Sequence, residues 1–210
     1  MLEDVPNKRS NRWIYRFDRR RDLERLFEQT ELDQLGRREI TELLQSSGYG
    51  SLRDQQLLDI PFKRKRKSKH LTRFSDGSFP VLYGSLECKT AMAEVKHWLL
   101  KRIGEPTTVR TFFYQRFRYR FEGTVKDLRP KLSDWPELVH DSDYVFCNRI
   151  GAEASRIRLD GLVTFSARRP QGSNQPVFTR ASVSQPELQM VVAMTYDPAD
   201  QTVQTKYIDD

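Results

Sequence analysis

The sequence predicts an α+β fold: one compact domain with a mixed or antiparallel sheet and flanking helices. Three observations lead there. Residues 109 to 121 alternate with period two, as a strand with one buried face does. Ala91, Val95, Trp98 and Leu99 recur at i, i+4, i+7 and i+8, as on the apolar stripe of a helix. In the second half strand signals outnumber helical ones, with hairpins favoured over crossovers. The 210 residues suffice for one full domain.

Composition narrows the function classes. Hydrophobic residues make up 37% and charged residues 31%, a lean core under a wet surface. The 12 Phe, 8 Tyr and 3 Trp argue against disorder. Lys and Arg number 36 against 29 Asp and Glu, a net charge of +7. That excess calls for an acidic partner: nucleic acid, a phosphate-bearing ligand or an acidic protein. No window approaches the roughly 20 apolar residues of a membrane span, and the start lacks the apolar run of a signal peptide. Cys88 and Cys147 are too few for a disulfide scaffold and read as small buried residues, so a reducing cytoplasm is the expected location.

In chain order, leucines and Phe27 at helical spacing over 18–45 read as two short helices with a break at Gly36. Residues 46–78 lose the pattern, and Lys63–Lys69 carries six cations in seven residues, a solvated loop. Residues 1–70 thus read as an N-terminal helical segment and basic loop, joined in one domain to a core over 71–210. Phe79–Tyr83 reads as a short strand, and a helix starts near Cys88, capped by Ser85 or a neighbour. On the 109–121 strand Phe113, Phe117, Tyr119 and Phe121 face one way and Arg116, Arg118 and Arg120 the other. A second helix over 143–159, with Tyr144, Ile150, Ala154 and Ile157 inward, stops at Asp160-Gly161. Leu162–Phe165 is a buried strand, and Pro176–Phe178 and Leu188–Tyr196 give further strand signal.

Four polar residues stand where a plain core needs none: Arg73, Tyr83 at a strand end, Glu94 on the helix, and Ser166 after the buried strand. Glu94 borders the apolar stripe, which leaves it either paired with Lys96, His97 or a distant Arg, or aimed into a cleft. Glu94-x-x-His97 has a spacing met in helical metal sites but occurs once, so no metal is expected. Gly172-Ser173-Asn174 reads as a loop whose N–H groups suit an anion.

The string Arg73-Phe74-Ser75-Asp76-Gly77-Ser78-Phe79-Pro80-Val81-Leu82-Tyr83-Gly84-Ser85, running on through Thr90-Ala91-Met92-Ala93-Glu94, resembles the core of the RES domain family. Asp160 to Arg168, followed by Gly172 to Phe178, resembles its serine segment. The likeness spans roughly residues 12 to 196. It implies a fold similar to the ADP-ribosyltransferase toxins and a central NAD cleft in the 71–210 core. It also implies an NAD-degrading toxin of a bacterial toxin–antitoxin module, with NAD as substrate and inorganic phosphate as a possible co-substrate. The implied partner is a helix-turn-helix (Xre-like) antitoxin in a hetero-oligomer, with no direct nucleic acid and no membrane. Carried over, Arg73, Tyr83, Glu94 and Ser166 match the motif positions. Arg16 is taken as the earlier arginine, with Arg12 and Arg19 competing.

For these residue types the expected reaction is cleavage of the nicotinamide–ribose bond. Glu94 stabilises the ribosyl cation or activates the nucleophile, and Arg73 with Arg16 binds the pyrophosphate. Tyr83 stacks on nicotinamide or bonds the ribose, and Ser166 orients the carboxamide or an anion. Phosphate, water and a protein side chain (ADP-ribosylation) all remain open as nucleophile. A catalytically dead relative is a further alternative. From another class comes a basic nucleic-acid-binding module using Lys63–Lys69 and the Arg116, Arg118, Arg120 face.

Overall fold

The computed structural model describes residues 1–20, 59, 61–62, 72–104, 107–184 and 186–207. The helices expected over 18–45 and the Lys63–Lys69 run lie outside the described residues, apart from 18–20. In chain order the elements are β1 (Asn7–Arg19), β2 (Leu82–Ser85), α1 (Cys88–Ile103), β3 (Arg110–Asp127), α2 (Val145–Arg156), β4 (Gly161–Phe165), β5 (Ser173–Val177), β6 (Glu187–Asp197) and β7 (Thr202–Tyr207). Among the described residues this is an α+β fold, a mixed seven-stranded sheet with two α-helices.

The strands run in the order β1-β2-β5-β4-β3-β6-β7, and a further β1–β3 pairing closes β1, β2, β5, β4 and β3 into a ring. β3 is long enough to serve both sides. It pairs antiparallel with β1 from Arg19↔Tyr114 to Asn7↔Lys126, and with β6 from Arg110↔Tyr196 to Arg118↔Glu187. At its far end it pairs parallel with β4, Val125↔Gly161 to Asp127↔Val163. That parallel pair is the exception among the expected hairpins, with α2 as the crossover between β3 and β4. β4–β5 and β6–β7 are antiparallel neighbours in sequence.

The ring is filled by Ile14, Leu82, Phe117, Tyr119, Phe121, Val125, Val163 and Val177, one or more from each strand, with Val183 beside them. The alternation read over 109–121 therefore points Phe117, Tyr119 and Phe121 inward. The closed ring pairs β1, β2, β5 and β4 on both sides and encloses this apolar cluster, while β7 remains a free edge among the described strands. Outside it, Leu99 of α1 packs on Phe112, Tyr114, Val192, Met194 and Tyr196, with Met92, Val95 and Ile103 against them. α2 buries Cys147, Ile150 and Ala154 against Leu162, Phe74, Leu128, Leu138 and the N-terminal Leu2 and Val5.

β1 and β7 were not anticipated, and β1 replaces part of the helical segment expected for residues 1–70. In β1 the inward Ile14 is fully buried, while Trp13, Tyr15 and Phe17 on the other face are only partly covered. β7 is exposed or half-exposed throughout, so no apolar face marks it. Several boundaries also shift. The strand expected from Phe79 begins at Leu82. Glu87 caps α1 without a side-chain bond, while Ser85 serves β5 instead. Gly172 precedes β5, Ser173 and Asn174 begin it, and the Ser173 N–H donates to Glu87 Oε2 at 3.0 Å, leaving it unavailable to an anion. α2 ends before Ile157, which is 42% exposed, because the chain turns through Arg158 at φ 55° into Asp160. Asp160 accepts from Thr124 N and Ser182 Oγ, tying the helix end to β3.

Candidate active site

Glu94 is half-buried near the middle of α1. Its sequence neighbours Lys96 and His97 are not its hydrogen-bond partners. Ser166 Oγ donates to Glu94 Oε1 at 2.7 Å, and Asn174 Nδ2 donates to the same oxygen at 2.5 Å. Both donors are themselves held. The N–H groups of Arg168 and Arg169 donate to Ser166 Oγ at 3.0 and 3.2 Å. Ser85 Oγ donates to Asn174 Oδ1 at 2.7 Å, across the Ser85↔Asn174 register pair of β2 and β5. Glu94 Oε2 takes no hydrogen bond among the described residues. One carboxylate oxygen is thus held by two donors, each fixed in turn, while the other is uncommitted among the described residues.

The connection from β4 to β5 carries this arrangement and is braced on the start of α1. Thr90 Oγ1 donates to Glu87 Oε2 at 2.6 Å and accepts from Arg169 Nη1 at 3.0 Å. Gly172 is needed where the connection crosses this point, since a Cβ there falls 2.4 Å from Thr90 Oγ1.

Arg73 lies on the loop before β2. Its main chain is gripped by Asn148 of α2, whose Nδ2 donates to the carbonyls of Thr72 (2.7 Å) and Arg73 (2.9 Å). The loop comes so close to α2 that a Cβ on Gly151 falls 2.0 Å from the Phe74 carbonyl oxygen. Arg73 Nη1 donates to the carbonyls of Leu138 (3.1 Å) and His140 (2.8 Å), and the guanidinium lies 4.7 Å over the Tyr144 ring. The cation is oriented by neutral acceptors, with no carboxylate pairing it among the described residues.

The Tyr83 hydroxyl is engaged within the protein. It accepts from Phe74 N at 2.7 Å and donates to Thr72 Oγ1 at 2.8 Å. Burial pushes the phenol above its ordinary range, so it stays protonated. With both bonds made to the 72–74 loop, the hydroxyl positions Arg73.

Arg168 joins the site and was noted in the sequence only as a neighbour of Ser166. Its side chain is 6% exposed and ion-paired with Asp141, and Nη2 donates to the Asp141 carbonyl (2.6 Å) and to Tyr144 Oη (3.3 Å). Burial and the nearby Arg73 disfavour its charge, and Glu94 favours it. Two guanidiniums and one carboxylate therefore share an electrostatic neighbourhood.

Arg16 is not brought to this set. On β1 it shares a face with Ile14, toward the ring interior, whereas Tyr15 on the other face pairs with Ser85. Its Nε donates to Asp18 at 2.7 Å, and Asp18 with Tyr119 outweighs burial in favouring its charge. Arg19 lies 4.7 Å over the Phe112 ring, on the other face. The side chain of Asn174 was missed, since its face is known only once β5 is paired. Its local signal was a polar residue entering a strand next to a serine segment.

Arg118 and Arg120 share the outer strand face with Trp13, at 4.3 and 5.4 Å from its ring. Arg118 is paired with Glu187 at 2.6 Å, so part of that basic face is internally neutralised.

A carboxylate bonded through one oxygen, with two oriented arginines in its electrostatic neighbourhood, sits on an α+β scaffold. The model of the RES domain matches residues 51–197, and the chain belongs to that family. Arg73, Tyr83, Glu94, Ser166 and Asn174 lie within the match; Arg16 precedes it. Among solved structures, the chain is similar to one in a crystal structure of the M. tuberculosis MbcT–MbcA toxin–antitoxin complex, at 16% identity and a TM-score of 0.45, covering 93% of this chain and 89% of that one. No curated protein matches.

Proposed function

We propose that the protein cleaves the nicotinamide–ribose bond of NAD and acts as the toxin of a toxin–antitoxin pair. The observation that carries the reading is Glu94, with both described donors on Oε1 and Oε2 left over. In this reaction the C–N bond breaks with its electron pair passing to the ring nitrogen, so nicotinamide departs neutral and no general acid is required. The ribose is left with oxocarbenium charge, which one oriented carboxylate stabilises. Oε2 meets that charge or grips a ribose hydroxyl. Arg73 and Arg168 face the pyrophosphate, and the oriented guanidiniums suit charge-assisted bonds to its oxygens. This assigns to Arg168 the second cation first expected of Arg16.

The acceptor is inorganic phosphate or water. Phosphate forms a new C–O bond at the anomeric carbon and gives ADP-ribose 1″-phosphate; water gives ADP-ribose with its proton passed to solvent. A protein side chain as acceptor makes the same chemistry an ADP-ribosylation. RES membership supports a cognate antitoxin, which in this reading is Xre-like, blocks the site and meets the protein in the cytoplasm. Glu94→Gln keeps an oxygen for Ser166 and Asn174 while removing the charge. It is expected to abolish nicotinamide release, followed by chromatography with and without phosphate, and to relieve growth inhibition. An undiminished rate in a folded Glu94→Gln protein overturns the reading.

A further inference from the structure

The two guanidiniums of the site are held in different ways. Arg73 donates to the main-chain carbonyls of Leu138 and His140, whereas Arg168 is ion-paired with the Asp141 carboxylate. Direct contacts tie Arg168 to the other site residues. Its main-chain N–H donates to Ser166 Oγ, which in turn donates to Glu94 Oε1. Its Nη2 donates to Tyr144 Oη at 3.3 Å, and the Tyr144 ring lies 4.7 Å beneath the Arg73 guanidinium. The ion pair itself is lopsided: the Arg168 side chain is 6% exposed and that of Asp141 76%. A carboxylate on the solvent side thus covers a buried cation.

Asp141 belongs to the exposed stretch 140–143 before α2, and its carboxylate bonds nothing but Arg168 Nη1 among the described residues. The stretch keeps its shape by other means. His140 Nδ1 accepts from the N–H groups of Ser142 (3.3 Å) and Asp143 (2.9 Å), and Asp143 Oδ1 accepts from Val145 N at 2.9 Å. The guanidinium is anchored separately, since Nη2 donates to the Asp141 carbonyl at 2.6 Å as well as to Tyr144. The bond from Nη1 to the carboxylate is therefore the one that can exchange while loop and guanidinium stay in place. A phosphoryl oxygen offers Nη1 the same charge-assisted bond, and a buried cation is costly without such a partner. We propose that Asp141 is an internal competitor for Arg168: its carboxylate occupies the position that a phosphoryl oxygen takes, and it swings into solvent when a phosphoryl-bearing ligand enters. The inference rests on the dinucleotide reading of the site. It makes Asp141 a specificity residue, because a ligand without phosphoryl charge cannot displace it and gains nothing from Arg168.

ADP-ribose is the probe, with Kd measured by calorimetry and each variant checked by thermal melting. Asp141→Asn keeps the size of the side chain and removes its charge, so Kd is expected to fall about three- to tenfold. KM for NAD falls by the same factor, with kcat no higher than in the wild type. Asp141→Glu restores the competing charge and returns Kd toward the wild-type value. Asp143→Asn removes a carboxylate from the same stretch that is bonded to Val145 N instead of Arg168, and leaves Kd within about twofold. Unchanged or weaker binding in a folded Asp141→Asn protein overturns the proposal, because the carboxylate then only orients Arg168. An equal gain in Asp143→Asn also overturns it, as an effect of net charge. A crystal structure of the wild type with ADP-ribose tests it without any variant: a phosphoryl oxygen is expected on Arg168 Nη1, and Asp141 still seated there refutes the exchange. Each of these refutations leaves the NAD reading standing, whereas failure of the wild type to bind ADP-ribose removes both.

Discussion

Asn174→Ala tests whether orientation of Glu94 matters as much as its presence. The amide donates to Glu94 Oε1 at 2.5 Å and accepts from Ser85 Oγ at 2.7 Å, so the change removes a donor from a carboxylate and strands a buried hydroxyl. A hydrogen bond to a charged group contributes about 1.5–3 kcal/mol. Where that energy holds the carboxylate against the developing ribosyl cation, its loss appears in kcat. At about 1.4 kcal/mol per tenfold, the fall is roughly 10- to 150-fold. Activity is not abolished, because Ser166 still donates to Oε1 at 2.7 Å from a hydroxyl fixed by two N–H groups. Ser85→Ala, which leaves the amide in place but unoriented, falls between wild type and Asn174→Ala. Ser166→Ala combined with Asn174→Ala approaches Glu94→Gln. The assay is steady-state nicotinamide release with kcat and KM separated, beside a thermal melt of each variant. A kcat for Asn174→Ala within about twofold of wild type, in a protein of unchanged stability, refutes the positioning argument.

Three further outcomes follow from the packing. Tyr83→Phe frees Phe74 N and Thr72 from the phenol and loosens the Arg73 loop; KM for NAD is expected to rise about five- to tenfold, with the larger part of the loss outside kcat. Gly151→Ala drives a methyl into the Phe74 carbonyl and is expected to destabilise by about 1–3 kcal/mol, a fall of roughly 2–12 °C in Tm by calorimetry. Burial raises the pKa of Asp127, but its bonds to Arg129 outweigh this and hold the carboxyl below its ordinary range. Its contribution to stability is therefore present above the unfolded value near 3.8 and lost as pH falls through the lower folded one; Asp127→Asn is expected to flatten Tm against pH below about pH 4.

The fold class was legible wherever one face of an element is buried and the other is not. β3 announced itself because Phe117, Tyr119 and Phe121 fill the ring while Arg116, Arg118 and Arg120 face outward. α1 did so through Ala91 and Leu99, both buried. β1 and β7 carry no such contrast. β1 has one buried apolar side chain amid polar, charged and half-covered ones, and β7 has none. Ile157 fell on the expected stripe of α2, but the backbone leaves the helix just before it, a decision made by the tie from Asp160 to β3 and not by spacing.

For the candidate site, local sequence offered Arg73, Tyr83, Glu94 and Ser166 as polar residues that a plain core does not need. Sequence alone also determined that the charge excess is modest and that the chain carries a RES-like motif. What each residue touches was settled only by tertiary structure, because hydrogen bonds join atoms far apart in the chain. Ser166 and Asn174 lie 72 and 80 residues from Glu94, and only strand register places them on the same oxygen. Register likewise turned Arg16 inward beside Ile14 and brought Arg168 next to Arg73 and Glu94. It also showed the Tyr83 hydroxyl to be occupied in shaping a loop. The identities of the polar residues were written in the chain; their partners depended on how a five-stranded ring closes, and closure is a property of distant strands pairing.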